Sequence, residues 1–246
     1  MKDLLYIVGS GSKHNDVELR YSLRSIEANC KGYDRVFVVG RKPAWLTGVE
    51  FIPCDDVYDC THKNMMRKIL VACHQSDISE DFVMQGDDHF YIKPYDFSLV
   101  QPYEKGELPT KFKEHEIAPN YRTSLIQTRD FLISHGLPFR NASQHCGQPF
   151  RKSFVFRYEE ELFIPAFAFP YGLESSSIMA AILVHEGVYE YTYRHDCKFS
   201  HFNNEQHLLE RIGDDFCFSI YDRAFEFGLE NILNKWFPQK SKWERD

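Results

Sequence analysis

From Leu4 to Ile92, short continuous apolar runs alternate with stretches of helical periodicity, and no other feature of the chain constrains its fold as much. Leu4 to Val8, Arg35 to Gly40, Val49 to Pro53 and Phe82 to Met84 read as buried strands, short and rich in β-branched and aromatic residues. Val17, Leu19, Leu23 and Ile26 recur at helical spacing behind Asn15 or Asp16 as a cap, and that helix ends near Gly32. Thr61 to His74 forms a second helix, with Met65, Ile69, Leu70 and Ala72 facing inward. Strands joined through helices cross over to lie parallel. The expected fold is therefore α/β, with a mainly parallel central sheet flanked by helices.

The last of these strands ends in Gln85-Gly86-Asp87-Asp88-His89. Gly86 permits a tight turn, so two adjacent carboxylates and an imidazole emerge where the strand leaves the sheet. Ligands of open α/β sheets bind in the crevice beyond the carboxyl ends of the strands. Two such close carboxylates repel unless a positive charge faces them, and Mg²⁺ or Mn²⁺ can meet that need while bridging to substrate phosphates. The Asp-Asp-His element also reads as an acidic turn. Gly9 and Gly11 follow the first strand, but the third glycine of a dinucleotide fingerprint is missing, so a Rossmann cofactor site is rejected.

Beyond Pro94 the pattern loosens. Pro94 to Pro119 reads as irregular, Asn120 to His135 as a helix closed by Gly136, and Gln144 to Phe150 as a polar, Gly/Pro-rich loop. Glu174 to Glu186 is helical, a Tyr-rich strand carries Tyr189, Tyr191 and Tyr193, and Tyr221 to Phe237 is an amphipathic helix. A single domain over 1–246 is expected, since no linker or repeat interrupts the chain. The net charge of −7 argues against broad duplex binding. Charge is uneven, however: Lys105 to Arg157 holds nine Lys or Arg against four acids, which suits an anionic acceptor. Seven scattered cysteines without a Cys-x-x-Cys pair read as reduced thiols, and no run is long enough for a signal peptide or a membrane span. A cytoplasmic location is expected.

Asn15 to Asn29, Val36 to Gly40, Pro43-Ala44-Trp45-Leu46, and Ile78-Ser79-Glu80-Asp81-Phe82 through Asp88 resemble the opening blocks of the Stealth family of sugar-phosphate transferases. The order of motifs is also similar to small GT-A-type glycosyltransferases of bacteria and bacteriophages. Asp196-Cys197-Lys198, Ser219 to Asp222 and Phe237 to Glu244 fit their later motifs, whereas the His loop departs, with Pro149 four residues after His145 instead of two. The resemblance implies a GT-A-like fold, a nucleotide-sugar donor such as a UDP-sugar, and a divalent metal. Residues 1–100 would form the nucleotide-sugar and metal half, and residues 101–246 the acceptor half with its C-terminal helix.

On that resemblance, Asp88 contacts the metal, Asp87 contacts metal or donor ribose, and His89 ligates or orients. Asp196 or His201 supplies a second ligand, and Lys198 offsets diphosphate charge. Arg20 and Arg24, and likewise Asn64 and Lys68, stand one helical turn apart and could face the donor phosphates; helix-surface roles are the alternative. Glu174, Asp222 and His145 are candidate general bases, with an N-cap role competing at Asp222. The acceptor would be a glycan, a lipid-linked phosphate or a modified nucleobase in DNA. Transfer of hexose 1-phosphate, or a non-catalytic scaffold, are the competing functions.

Overall fold

The structure, a computed structural model, describes residues 1–10, 12–111 and 119–245. In chain order its elements are β1 (Lys2–Val8), α1 (Val17–Asn29), β2 (Cys30–Lys31), β3 (Tyr33–Gly40), β4 (Glu50–Pro53), α2 (Thr61–Gln75), β5 (Asp81–Gln85), β6 (Phe90–Tyr91), β7 (Tyr95–Asp96) and β8 (Tyr103–Glu104). There follow α3 (Pro119–Ser134), β9 (Gln148–Arg151), α4 (Lys152–Arg157), α5 (Ser175–His185), β10 (Thr192–Tyr193), β11 (Lys198–Phe199), α6 (Glu205–Ile212), β12 (Cys217–Ile220) and α7 (Leu229–Trp236).

The four apolar runs form the expected parallel sheet, in the order β4-β3-β1-β5. The burial of most of β1, β3 and β5 explains why they read as continuous apolar runs, since helices cover both faces of a parallel sheet, whereas β4 at the sheet's edge buries only Ile52. The chain builds outward from β1 to β4 and then returns to the other side of β1 with β5. The strand order therefore reverses between β1 and β5, where open sheets of this kind form a ligand crevice.

Five expectations need correction. Gln144 to Phe150 is not all loop: Gln148–Arg151 pairs antiparallel with β5 and closes the sheet's edge. An edge strand tolerates Pro149, whose missing N–H costs no ladder bond on the open side. The helix expected over Tyr221 to Phe237 is broken at Gly228, which adopts φ 78°; a 3₁₀ turn over Asp222–Phe227 precedes it and α7 follows. Asp16 occupies the cap position of α1 with φ 56° but its side chain makes no capping bond. In α2 the fully inward methionine is Met66, and Met65 is only partly covered. Of the Tyr-rich stretch, only Thr192–Tyr193 pairs, with β8.

A second sheet, β11-β12-β6, joins residues from both halves of the chain. Three apolar cores result. One lies between the central sheet and α2, α3 and α5, including Phe82, Met66, Leu125 and Ile182. Another lies on the other face with α1, including Tyr6, Leu23 and Val38. The last lies under β11 and β12 with α6 and α7, including Phe199, Phe218 and Leu233. All seven cysteines are free. No helix among the described residues is long and apolar enough to cross a membrane.

A buried ion pair fastens the final segment to α1. Arg24 donates from Nε and Nη2 to the two oxygens of Glu244, each at 2.7 Å, and from Nη1 to the Phe237 carbonyl at 3.2 Å. Ser241 donates to the same carboxylate through its backbone N–H at 2.9 Å and its hydroxyl at 3.1 Å. Glu244 and Arg24 side chains are 2% and 8% exposed, so removing either leaves a buried charge without its partner. Glu244→Ala should lower stability by about 3–5 kcal/mol, and Glu244→Gln by less. Urea unfolding measures this, and a loss below about 1 kcal/mol would show that the pair is not a fastener.

Candidate functional site

A cleft of about 1060 Å³ opens at the carboxyl ends of β1 and β5, over the point where the strand order reverses. Ile7, Gly9 and Ser10 line it from the end of β1, and Met84 to His89 from the end of β5. Gly86 leaves room for this turn: a Cβ there would stand 2.8 Å from His89 Nε2 and 2.9 Å from Asp88 Oδ1, so both side chains would have to shift. The turn thus brings the Asp88 and His89 side chains close over Gly86 at the strand end.

The two carboxylates have different partners. Asp88 accepts from Ser219 Oγ at 2.7 Å and faces Lys198 Nζ at 3.3 Å. Burial alone would raise its pKa, but Lys198, His89, His145 and the Ser219 hydroxyl outweigh that and hold the carboxyl well below the usual range. Among the described residues, Asp87 has no side-chain partner of this kind. Burial first, then the Asp88 and Glu18 charges, push it up to about 7. One carboxylate is neutralised and its neighbour is not.

His89 is a strut. The Gly86 N–H donates to its Nδ1 at 3.1 Å, which leaves the other ring nitrogen protonated, 3.8 Å from Asp88 Oδ1. Its backbone carbonyl accepts from Ser22 Oγ at 2.7 Å, and burial pushes its pKa down to about 4. His145 is held differently. Asp196 accepts from its backbone N–H at 3.1 Å and from its Nδ1 at 2.9 Å, which leaves Nε2 as a proton acceptor on a cleft-lining ring. Lys105 supports Asp196 at 2.5 Å. His145, then Lys105, overcome the effect of burial and hold the Asp196 carboxyl well below its usual range. Burial holds the His145 pKa below its ordinary value, against the pull of Asp196.

Other expected site residues are placed elsewhere or already engaged. Arg20 and Arg24 are not among the described residues of the cleft: Arg24 grips Glu244, and Arg20 lies 3.6 Å from the same carboxylate and over the Trp45 ring. Helical spacing puts two side chains on one face without saying what that face meets. Asn64 and Lys68 do line the cleft. Asn64 binds the backbone of Val57 and Tyr58, and Lys68 pairs with Asp56 at 2.5 Å and the Val8 carbonyl at 2.9 Å. Glu174 also lines it, as the N-cap of α5, accepting from the backbone N–H groups of Ser176 and Ser177. Asp222 stands at the rim in an exposed ion pair with Lys13, and it does not cap the 3₁₀ turn it begins.

The stretch Lys105 to Arg157 lines the cleft through Asn120, Tyr121 and Ser143 to Cys146, while five of its basic side chains are engaged away from it. Lys105 serves Asp196, Arg140 pairs with Glu104, Arg151 pairs with Asp81 across β9 and β5, Lys152 donates to the Ser76 carbonyl, and Arg157 pairs with Glu186. None of these five lines the cleft. Lys113 lies outside the described residues.

The five metal ligands expected from sequence do not converge. No group of three or more His, Cys, Asp or Glu among the described residues could hold a metal ion. Asp196 is turned to His145 and Lys105, and His89 to Gly86. His201 is exposed beside Ser200 and outside the described lining. What fits a hard cation is the pair Asp87 and Asp88, the one- or two-carboxylate arrangement that Mg²⁺ adopts when phosphate oxygens and water complete its shell.

Ser219, Lys105, Glu18 and the ring of Tyr121 also belong to the site or its support, and sequence reasoning gave them no role. Ser219 lies within a quoted motif, but the pairing of β12 with β11 that aims it at Asp88 has no local signal. No protein-family model and no curated protein matches the chain. Among solved structures, the chain is similar to the crystal structure of a glycosyltransferase involved in the glycosylation of the major capsid of PBCV-1. The two share 14% identity at a TM-score of 0.42, over 94% of this chain and 100% of that one.

The unneutralised Asp87 makes a stability prediction. An acid whose folded pKa is raised binds more protons folded than unfolded between its ordinary 3.8 and about 7, so stability falls as pH rises through that window. In chelator, Asp87→Asn should be more stable than the parent at pH 8 by at least about 1 kcal/mol, the worth of a one-unit shift. The gain should vanish near pH 4. Equal urea midpoints at pH 8 would show that Asp87 carries no uncompensated charge.

Proposed function

We propose that the chain is a GT-A-type glycosyltransferase that moves a sugar from a nucleotide-sugar donor, such as a UDP-sugar, to an acceptor hydroxyl. The observation that carries this is one cleft, at the reversal of strand order, holding both an acidic strand-end pair and an imidazole oriented by a carboxylate. The order of sequence motifs supports it further.

In this reading the nucleoside lies toward β1, where a second recess of about 350 Å³ is lined by Ser10, Arg41, Lys42, Phe51 and Lys68. Asp87 and Asp88 would hold a divalent cation of the Mg²⁺ or Mn²⁺ class, whose contribution is to neutralise the departing diphosphate. Lys198 offsets the same charge as a point cation. His145 Nε2 takes the proton of the acceptor hydroxyl as its oxygen attacks the anomeric carbon. The bond from that carbon to the diphosphate oxygen breaks, and the electron pair leaves with the diphosphate. Asp196 keeps His145 in the tautomer this requires and stabilises the imidazolium that forms. Displacement by a deprotonated hydroxyl on the far face inverts the anomeric centre.

A panel of nucleotide sugars with Mn²⁺ tests the reading. Asp88→Ala should abolish nucleotide-sugar binding by calorimetry while the chain stays folded, and chelator should weaken binding to the wild type. Affinity unchanged by chelator would rule out the metal role. His145→Ala should lower turnover by about 10²–10⁴-fold with donor affinity preserved. Intact turnover would remove His145 as the base. Donor labelled in the β-phosphate separates this function from hexose 1-phosphate transfer, in which the label would enter the product.

A further inference from the structure

The cleft wall built by the starts of α2 and α3 and by the loop before α5 is aromatic. Tyr58, His62, Tyr121 and Tyr171 line it, and Tyr58 and Tyr121 are 40% and 38% exposed. These rings are backed from behind. His62 stacks on Tyr121 with centroids 5.7 Å apart and planes at 14°, and Phe167 lies 5.6 Å from Tyr58. The Tyr121 hydroxyl is tied to Ser143 Oγ. Gly172, beside Tyr171, lies so close to α2 that a Cβ would meet the Lys63 backbone nitrogen at 3.0 Å. The wall is a supported set of rings presented to solvent, with phenol oxygens and carboxylates around them.

Charge narrows what this wall can take. The lysines lining the cleft are Lys68 and Lys198, and each is paired with an aspartate. Glu18 and Asp59 line it without an ion pair among the described residues. Among the described residues lining the cleft, a phosphorylated acceptor, or a base carried on a nucleic-acid backbone, would meet unpaired carboxylates and only lysines already paired with aspartates; Lys63, 5.8 Å from the Tyr58 ring centroid, stands outside that lining. Exposed Arg41 and Lys42 stand in the recess assigned to the donor. A neutral polyol fits the remainder: carboxylates and phenols bond its hydroxyls, and aromatic faces cover its apolar C–H face.

We infer that the acceptor subsite takes an uncharged saccharide, packed against Tyr121 and Tyr58. This rests on the transferase reading and narrows its acceptor to one class. It replaces the anionic acceptor expected from the basic stretch.

Calorimetric titration with cellotetraose, maltotetraose and chitotetraose, beside glucose 6-phosphate and an oligothymidylate, tests it on the full chain. At least one uncharged tetrasaccharide should bind. Tyr121→Ala and Tyr58→Ala should each weaken that binding about tenfold, and Tyr121→Phe should stay within about threefold of the parent. UDP and GDP affinities should move less than about twofold in all three variants, which also reports that they fold. Binding of only glucose 6-phosphate or the oligonucleotide, no binding by any uncharged saccharide, or indifference to both alanine variants would overturn the inference. Nucleotide binding without saccharide binding would sink this inference alone. Tyrosine-dependent saccharide binding without nucleotide binding would sink the transferase reading and leave the subsite standing.

Discussion

Two adjacent carboxylates at a buried strand end cannot both stay charged without something positive against them, and the way this is met shapes the rest of the molecule. Asp88 is answered by Lys198 at 3.3 Å and Ser219 at 2.7 Å, which sit on β11 and β12. The second sheet is therefore tied to the central one at the site itself. The core beneath it, with Phe90, Phe199 and Phe218, carries the load of that attachment through burial, each such side chain contributing about 1.5–3 kcal/mol. Asp87 is left unanswered. A charge kept uncompensated at a cleft is a cost that the surrounding packing must offset.

The first half of the fold was legible because buried parallel strands leave continuous apolar runs, and the helices between them leave a 3.6-residue period. β1, β3, β4 and β5 all appear where those runs lie. β9 was not legible: Gly147 and Pro149 signal a loop, and only pairing with β5, more than sixty residues earlier, makes an edge strand of it. The long C-terminal helix failed for a local reason. The apolar stripe from Phe225 to Trp236 is real, and its members pack on one core, but Gly228 interrupts the backbone that carries them.

The site divides the same way. Asp87 and Asp88 follow from a strand that ends in a glycine turn, which is a local statement. Asp196 and Lys198 were read as one motif, yet they face different partners: Asp196 meets His145, and Lys198 meets Asp88. Alternation along an extended segment sends neighbours at even spacing the same way only where the strand is regular, and Asp196 precedes β11. Arg20 and Arg24 show the opposite error. Their spacing correctly put them near each other, and the positively charged face they form meets Glu244, more than two hundred residues later. The Phe237 to Glu244 motif accordingly has a structural reason to exist, since its Glu244 pairs with two arginines at the flank of α1.

The cleft's two sides belong to different cores. Lys198 and Ile220 are carried by elements packed on the core under β11 and β12, whereas His62 and Tyr121 are carried by α2 and α3, packed on the core of the opposite sheet face. The strand ends of β1 and β5 lie between them as a shared floor. This separation matters for how such a chain can vary. Substitutions in the aromatic wall perturb one core and leave the acid pair, its lysine and its serine where they are. Changes around β11 and β12 reach Asp88 directly. Specificity and charge balance are thus adjustable almost independently, because mutations without shared partners act nearly additively. His145 is the exception. Its ring lines the cleft, its neighbour Cys146 is buried against the α1 core, and its carboxylate partner precedes β11. A change at His145 therefore touches both sides at once.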